Sequence, residues 1–132
     1  MILVIGDPHI ASYHKFSQVV DSGYTIRELE HLQVAKDIVN TINNNEVDCV
    51  VCLGDVFDKV GDKISIDNMR TVTEWISIIQ EACIKKNILF YILVGNHDNN
   101  SANGYSHKLI PFKPYQNIRI IDSFEEENNM IF

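Results

Sequence analysis

The 132-residue chain has no apolar run approaching the roughly 20 residues a membrane-spanning helix requires. No segment joins a charged start and an apolar stretch to a small-residue cleavage site. These absences predict a soluble, intracellular protein of the cytoplasm, or of a host's cytoplasm if the chain is viral. Glycine-rich phosphate loops of the G-x-G-x-x-G or G-x-x-x-x-G-K kind are missing after any strand, which argues against a nucleotide-binding domain. Internal repeats and a composition break are missing too, so residues 1–132 read as a single domain.

Basic residues are also scarce. Eleven Lys and Arg face 18 Asp and Glu, for a formal net charge of −7. Phosphate backbones are bound largely by Lys and Arg, so this balance counts weakly against nucleic acid. Carboxylates that carry cations change the sum, because a pair of dications offsets about four negative charges.

Cysteine is limited to Cys49, Cys52 and Cys83. The C-x-x-C of Cys49 and Cys52 has a zinc or redox reading. Both residues sit inside an apolar strand run, where positions i and i+3 point to opposite faces. Buried thiols are therefore expected, and the odd count fits a reducing compartment.

What is present is a repeated juxtaposition. Ile2-Leu3-Val4-Ile5 leads into Gly6-Asp7-Pro8-His9. Val50-Val51-Cys52-Leu53 leads into Gly54-Asp55-Val56-Phe57-Asp58, and Phe90-Tyr91-Ile92-Leu93-Val94 leads into Gly95-Asn96-His97-Asp98. β-Branched runs of this kind are buried parallel strands, and open α/β sheets place sites beyond the carboxyl ends of such strands.

Between the runs lie two amphipathic patterns. The first comprises Ile26, Leu29, Leu32, Ala35, Ile38, Val39 and Ile42, with Thr25 or Ser22 as cap and Asn43-Asn44-Asn45 at the end. The second comprises Ile66, Met69, Val72, Trp75, Ile76, Ile79, Ala82 and Cys83. Ser65 caps it, Asp67 lies in its first turn, and Lys85 and Lys86 lie in its last. Strands are expected at about 1–6, 48–54 and 88–94, with a fourth at Ile118–Ile121. A short helical turn is expected over 105–110, limited by Pro111 and Pro114, and a turn over 125–129. The β-α-β-α-β order predicts an α/β fold with a mainly parallel sheet and helices on both faces. The last residues, Met130-Ile131-Phe132, read as the start of another strand. Termini are usually polar or frayed, so an amino-terminal piece of a longer protein is expected.

The clusters suit divalent cations. Asp7 and His9, two apart, project to one side. Asp55 has two oxygens with which to bridge two ions, and Asn96 offers a neutral carbonyl. His97 lies beside it, facing substrate, while Asp58 and Asp98 are acceptors that orient ligands or a histidine. The glycines before Asp7, Asp55 and Asn96 permit tight turns. Singly, each cluster is equally a turn, a cap or a polar loop. Together, in order and on strand ends, they point to one site.

G-D-x-H, then G-D-x-x-D, then G-N-H-D resembles the calcineurin-like metallophosphoesterase superfamily across essentially the whole chain. The spacing, the loop after Asp98 and the stretch Tyr115–Asp122 are most similar to its recombination-nuclease branch, the SbcD kind of exonuclease subunit and its phage counterparts. The resemblance implies the amino-terminal half of an α/β/β/α sandwich. It implies that Asp7 and His9 hold one metal, Asp55 bridges, Asn96 holds the second, and His97 serves as general acid or transition-state stabiliser. The cofactor implied is two divalent ions, manganese first, with iron or zinc as alternatives. The activity implied is hydrolysis of DNA phosphodiesters by water in recombination or repair. The partner implied is a coiled-coil ATPase of the SbcC kind, and a homodimer of the full-length protein is compatible. A phosphomonoesterase of the same superfamily, or a non-catalytic fragment, stand as alternatives.

The chain departs from that family downstream. A lone metal-binding histidine and a Gly-His-x-His are expected there, yet the only histidine after His97 is His107, in a polar loop. Four protein ligands are few for two ions. The isolated chain is therefore expected to bind the pair weakly, with little phosphoesterase activity.

Other residues have plainer readings. His14 is a loop histidine, His31 belongs to the exposed side of the first helix, and Trp75 belongs to the core. His107 is a stray ligand or a loop residue. Lys59, Lys63 and Arg70 form either a phosphate-contacting edge or a solvated rim.

Overall fold

Four of the apolar runs form strands: β1 (Ile2–Ile5), β2 (Cys49–Cys52), β3 (Leu89–Leu93) and β4 (Ile118–Ile121). The computed structural model describes residues 1–12, 15, 17–20, 22–59, 63–100, 106–123, 126–127 and 130–131. The four strands pair in parallel in the order β1-β2-β3-β4, with Ile5 opposite Cys52 and Cys52 opposite Ile92. All their carboxyl ends therefore lie along one edge of the sheet. Helix α1 (Ile26–Asn44) joins β1 to β2, and α2 (Ile66–Lys86) joins β2 to β3. A two-stranded antiparallel pair follows, β5 (Glu126–Glu127) and β6 (Met130–Ile131).

The helix starts follow local chemistry. Thr25 caps α1 in a capping box, its hydroxyl accepting from the Glu28 N–H while the Glu28 carboxylate accepts from the Thr25 N–H. Ser65 caps α2 by accepting from the Asn68 N–H at 3.0 Å. Lys85 and Lys86 lie in the last turn of α2, which ends at Asn87 in the left-handed conformation, φ 54°.

Both helices pack on the same face of the sheet, which corrects the expectation of helices on both faces. Leu32, Ala35 and Ile42 of α1 and Val72, Trp75, Ile76 and Ile79 of α2 share one core with Val50, Cys52, Phe90, Ile92, Ile118 and Ile120. Cys49, Val51, Tyr91 and Ile121 face the other way, with Met130 packed against them. The physical reason is the strand order. Successive crossovers of one hand that step in one direction across a sheet leave their helices on one side.

Three further expectations are corrected. Ile2 and Val4 are about half exposed, because β1 is an edge of the described sheet and neither residue belongs to the cluster that Met130 packs against. Ile26, Leu29 and Ile66, at the starts of the two stripes, are exposed, and Glu28 is buried instead. The short turn is a 3₁₀ segment at Ile110–Phe112, which contains Pro111 instead of stopping before it. Proline at the first positions of a turn forfeits no internal hydrogen bond.

Trp75 is fully buried as expected. Cys49 and Cys52 lie on opposite faces, in separate cores. Burial pushes the Cys52 thiol up to about 12, so the C-x-x-C is a pair of inert core thiols. Among the described residues no helix is long and apolar enough to cross a membrane.

Candidate functional site

The loops leaving β1 and β2 are stitched together by their backbones. The His9 N–H donates to the Asp55 carbonyl at 3.0 Å, and the Ile10 N–H to the Val56 carbonyl at 2.8 Å. His9 and Asp55 both take left-handed backbone, φ 44° and 49°. Such conformations cost about 1–3 kcal/mol in non-glycine residues and persist where surrounding structure enforces them.

Two glycines make the second junction, between β2 and β3. Gly54 has φ 99°, and a Cβ there would lie 2.7 Å from the Gly95 nitrogen. A Cβ on Gly95 would lie 2.1 Å from Asp55 Oδ1. Each tip therefore needs glycine so that the other can approach. Gly6 has no such duty: among the described residues nothing lies within 4 Å of its missing Cβ, and the expected constraint there is not met.

Asp98 locks this junction. It is fully buried, and its carboxylate accepts from the Phe57 N–H at 2.9 Å and the Gly95 N–H at 3.1 Å. Burial raises its pKa against the opposing pull of those donors. Its partners are thus the backbones of two loops and not a ligand side chain.

The result is a convergence of ligand atoms. His9, Asp55 and His97, each half-buried, offer atoms that all lie within 4.8 Å of one another. His9 Nε2 is 4.0 Å from Asp55 Oδ2, and His9 Nδ1 is 3.7 Å from Asp58 Oδ1. The His9 and His97 rings meet edge to face, 4.8 Å between centroids. Asp55 Oδ1 accepts from the His97 N–H at 2.8 Å. His97 Nδ1 contacts the Asp58 backbone carbonyl. A carbonyl only accepts, so Nδ1 carries the proton in the neutral ring and Nε2 keeps its lone pair.

This donor set fits a divalent cation. His9 Nδ1 is buried without a hydrogen-bond partner among the described residues. The 4.0 Å gap between His9 Nε2 and Asp55 Oδ2 is too long for a hydrogen bond. It is shorter than about 4.2 Å, twice a typical metal–ligand bond to nitrogen or oxygen.

Asp7 is exposed at the tip of β1 and is not one of the three groups that converge within 4.8 Å. Its carboxylate still acts on the same neighbourhood, adding with Asp98 and Asp55 to the upward shift that burial imposes on Cys52. Asn96 is exposed between Gly95 and His97. His97, expected beside substrate, stands inside the convergent group.

The remaining candidates are placed elsewhere. His107 is buried and its Nε2 lies 3.0 Å from Asp122 Oδ2. His31 is half-buried, not exposed as expected, and burial lowers its pKa. Arg70 lies 4.0 Å from the Tyr24 ring centroid and donates to the Gly23 carbonyl, so it is committed to the fold. Lys59 and Lys63 are exposed. His14 lies outside the described residues. Lys108, which no motif singles out, is buried and donates to the carbonyls of His97 and Lys59. A lysine in a polar loop carries no signal of that role.

Comparison with known proteins agrees with the geometry. The family described as calcineurin-like phosphoesterase matches residues 1–131. No curated protein matches the chain.

Proposed function

The chain belongs to the calcineurin-like phosphoesterase family, and on that premise we propose that it hydrolyses DNA phosphodiesters as the nuclease subunit of a recombination or repair exonuclease. The four-stranded parallel sheet and two helices are consistent with the amino-terminal half of a metallophosphoesterase fold. The observation that carries the proposal is the convergence of His9, Asp55 and His97 within 4.8 Å on three adjacent strand tips. The order of G-D-x-H, G-D-x-x-D and G-N-H-D, with the stretch Tyr115–Asp122, supports the nuclease branch over a phosphomonoesterase.

In this proposal Asp7 and His9 would hold one divalent cation and Asn96 a second, with Asp55 a ligand available to both and manganese the first choice over iron or zinc. Bound cations of this kind supply Lewis-acid stabilisation of phosphoryl charge and a lowered water pKa. The chain's own residues do the rest. Asp55 commits Oδ1 to the His97 N–H, which leaves Oδ2 turned to His9. The Asp58 carbonyl holds His97 by Nδ1, so Nε2 is the nitrogen that takes up a proton from solvent and, in the imidazolium form, gives it to the leaving oxygen. A coiled-coil ATPase of the SbcC kind is the proposed partner.

The test is cleavage of single- and double-stranded DNA with added manganese, beside bis-p-nitrophenyl phosphate and p-nitrophenyl phosphate. Expected is manganese-dependent diester cleavage, slow in this chain alone, that His97→Ala abolishes. Turnover confined to the monoester overturns the nuclease assignment. A calorimetric titration that shows no manganese binding overturns the metal site.

A further inference from the structure

Lys108 sits where a lysine is expensive. It is 3% exposed, and a buried ammonium is costly unless its donors are matched. An apolar side chain of similar length fills the same space without that cost. Its position is set by the segment after β3, which folds back on itself. The Lys108 N–H donates to the Asp98 carbonyl and the Asn100 N–H to the Ser106 carbonyl, both at 2.8 Å. Asn99 and His107 form an antiparallel bridge between them. The His107 ring is pinned by Asp122.

From this anchor the ammonium reaches two carbonyls, that of His97 at 2.9 Å and that of Lys59. It also lies 5.5 Å from the Phe57 ring centroid. The two carbonyls have one thing in common. They flank the hydrogen bond from His97 Nδ1 to the Asp58 carbonyl. One belongs to His97 itself and the other to the residue that follows Asp58. A single cation thus grips both sides of the contact that sets the His97 tautomer.

We propose that Lys108 is a positioning residue: by binding the His97 and Lys59 carbonyls together, its ammonium holds the His97 imidazole against the Asp58 carbonyl and keeps Nε2 as the free nitrogen. The proposal deepens the functional reading, since it rests on His97 being the group that acts on the leaving oxygen. A Lys108 that only fills space has no reason to influence a ring one hydrogen bond away.

The test reads the histidine ring directly, without metal or substrate. In the native chain, long-range nitrogen–proton NMR with the rings neutral is expected to show His97 as one tautomer, protonated at Nδ1. Lys108→Met keeps the stem against Phe57 and removes the charge. Expected is a dispersed amide spectrum with the two His97 ring nitrogens shifted toward a common, tautomer-averaged value. Unchanged ring signals in a folded Lys108→Met overturn the proposal. Should that variant fail to fold, the native Lys108 ammonium decides. Its protons are expected to exchange with water at least about tenfold more slowly than those of exposed Lys36, as bonded donors inside the fold do. Exchange as fast as at Lys36 overturns the clamp. Absent nuclease turnover overturns the functional reading alone and leaves these signals where they are.

Discussion

The α-carbon of Gly95 faces Asp55 so closely that a methyl group there would stand 2.1 Å from Asp55 Oδ1. The same oxygen accepts the His97 N–H at 2.8 Å. The absence of one side chain is thus what allows the β2 and β3 tips to share a carboxylate.

Gly95→Ala is therefore expected to displace Asp55 and disturb the His9–Asp55–His97 convergence. Overpacking of this kind costs about 1–3 kcal/mol, and displaced ligands lose about 10–100-fold in metal affinity. Manganese titration beside a thermal melt measures both. Gly6→Ala is the control, expected to melt within about 0.5 kcal/mol of the native chain, because nothing lies within 4 Å of its added carbon.

Glu28 is fully buried on α1 and accepts from the Thr25 N–H and from the hydroxyls of Ser12 and Thr71. It ties the loop after β1 to both helices. Burial pulls its pKa upward, and these hydrogen bonds outweigh that pull and leave it below the ordinary glutamate value. Glu28→Ala strands several donors at once and is expected to cost about 2–4 kcal/mol, since each unsatisfied buried group costs about 1–3 kcal/mol. Denaturant unfolding checks it. A loss under about 1 kcal/mol contradicts the assignment.

Asp122 joins the segment after β3 to the end of β4. Lys113 donates to its carboxylate and His107 Nε2 lies 3.0 Å away, and the two hold its pKa below the usual range. A carboxylate with a depressed folded pKa adds stability above its unfolded value, about 3.9, and loses it as pH falls through the folded one. Asp122→Asn is thus expected to be less stable than the native chain at neutral pH. The gap should close below about pH 4. Urea midpoints collected between neutral and acidic pH follow it, and a gap that stays constant across the range counts against the ion pair.

Much of this molecule was legible in the order of its residues. Strand runs, helix stripes, the Thr25 and Ser65 caps and the opposite-facing Cys49 and Cys52 all follow from periods of 2 and 3.6 and from capping chemistry, which act over a few residues. The chemistry-bearing clusters at the strand tips were legible for the same reason, because parallel strands bring their carboxyl ends to one edge. Thr25 was one of two cap candidates, whereas its pairing with Glu28 and the burial of Glu28 came from the fold, through Ser12 and Thr71 of distant segments.

Other features had no local signature. Which face each helix covers depends on strand order, a property of the whole sheet. On the face the helices leave bare, Val51 of central β2 is buried with Met130 packed on its cluster, while Ile2 and Val4 of edge strand β1 stay half exposed. His31 reads as a surface residue in its own helix and is half-buried by what packs beside it. Gly6, Gly54 and Gly95 look alike in sequence, yet only the last two meet another backbone or side chain at close range. Lys108 is the extreme case. A lysine by its own chemistry predicts exposure, and its partners are carbonyls 49 and 11 residues away. Periodicity and capping specify what a segment is, since their energies are local. Packing specifies what it touches, since burial and close approach are sums over segments that meet only when the chain has folded.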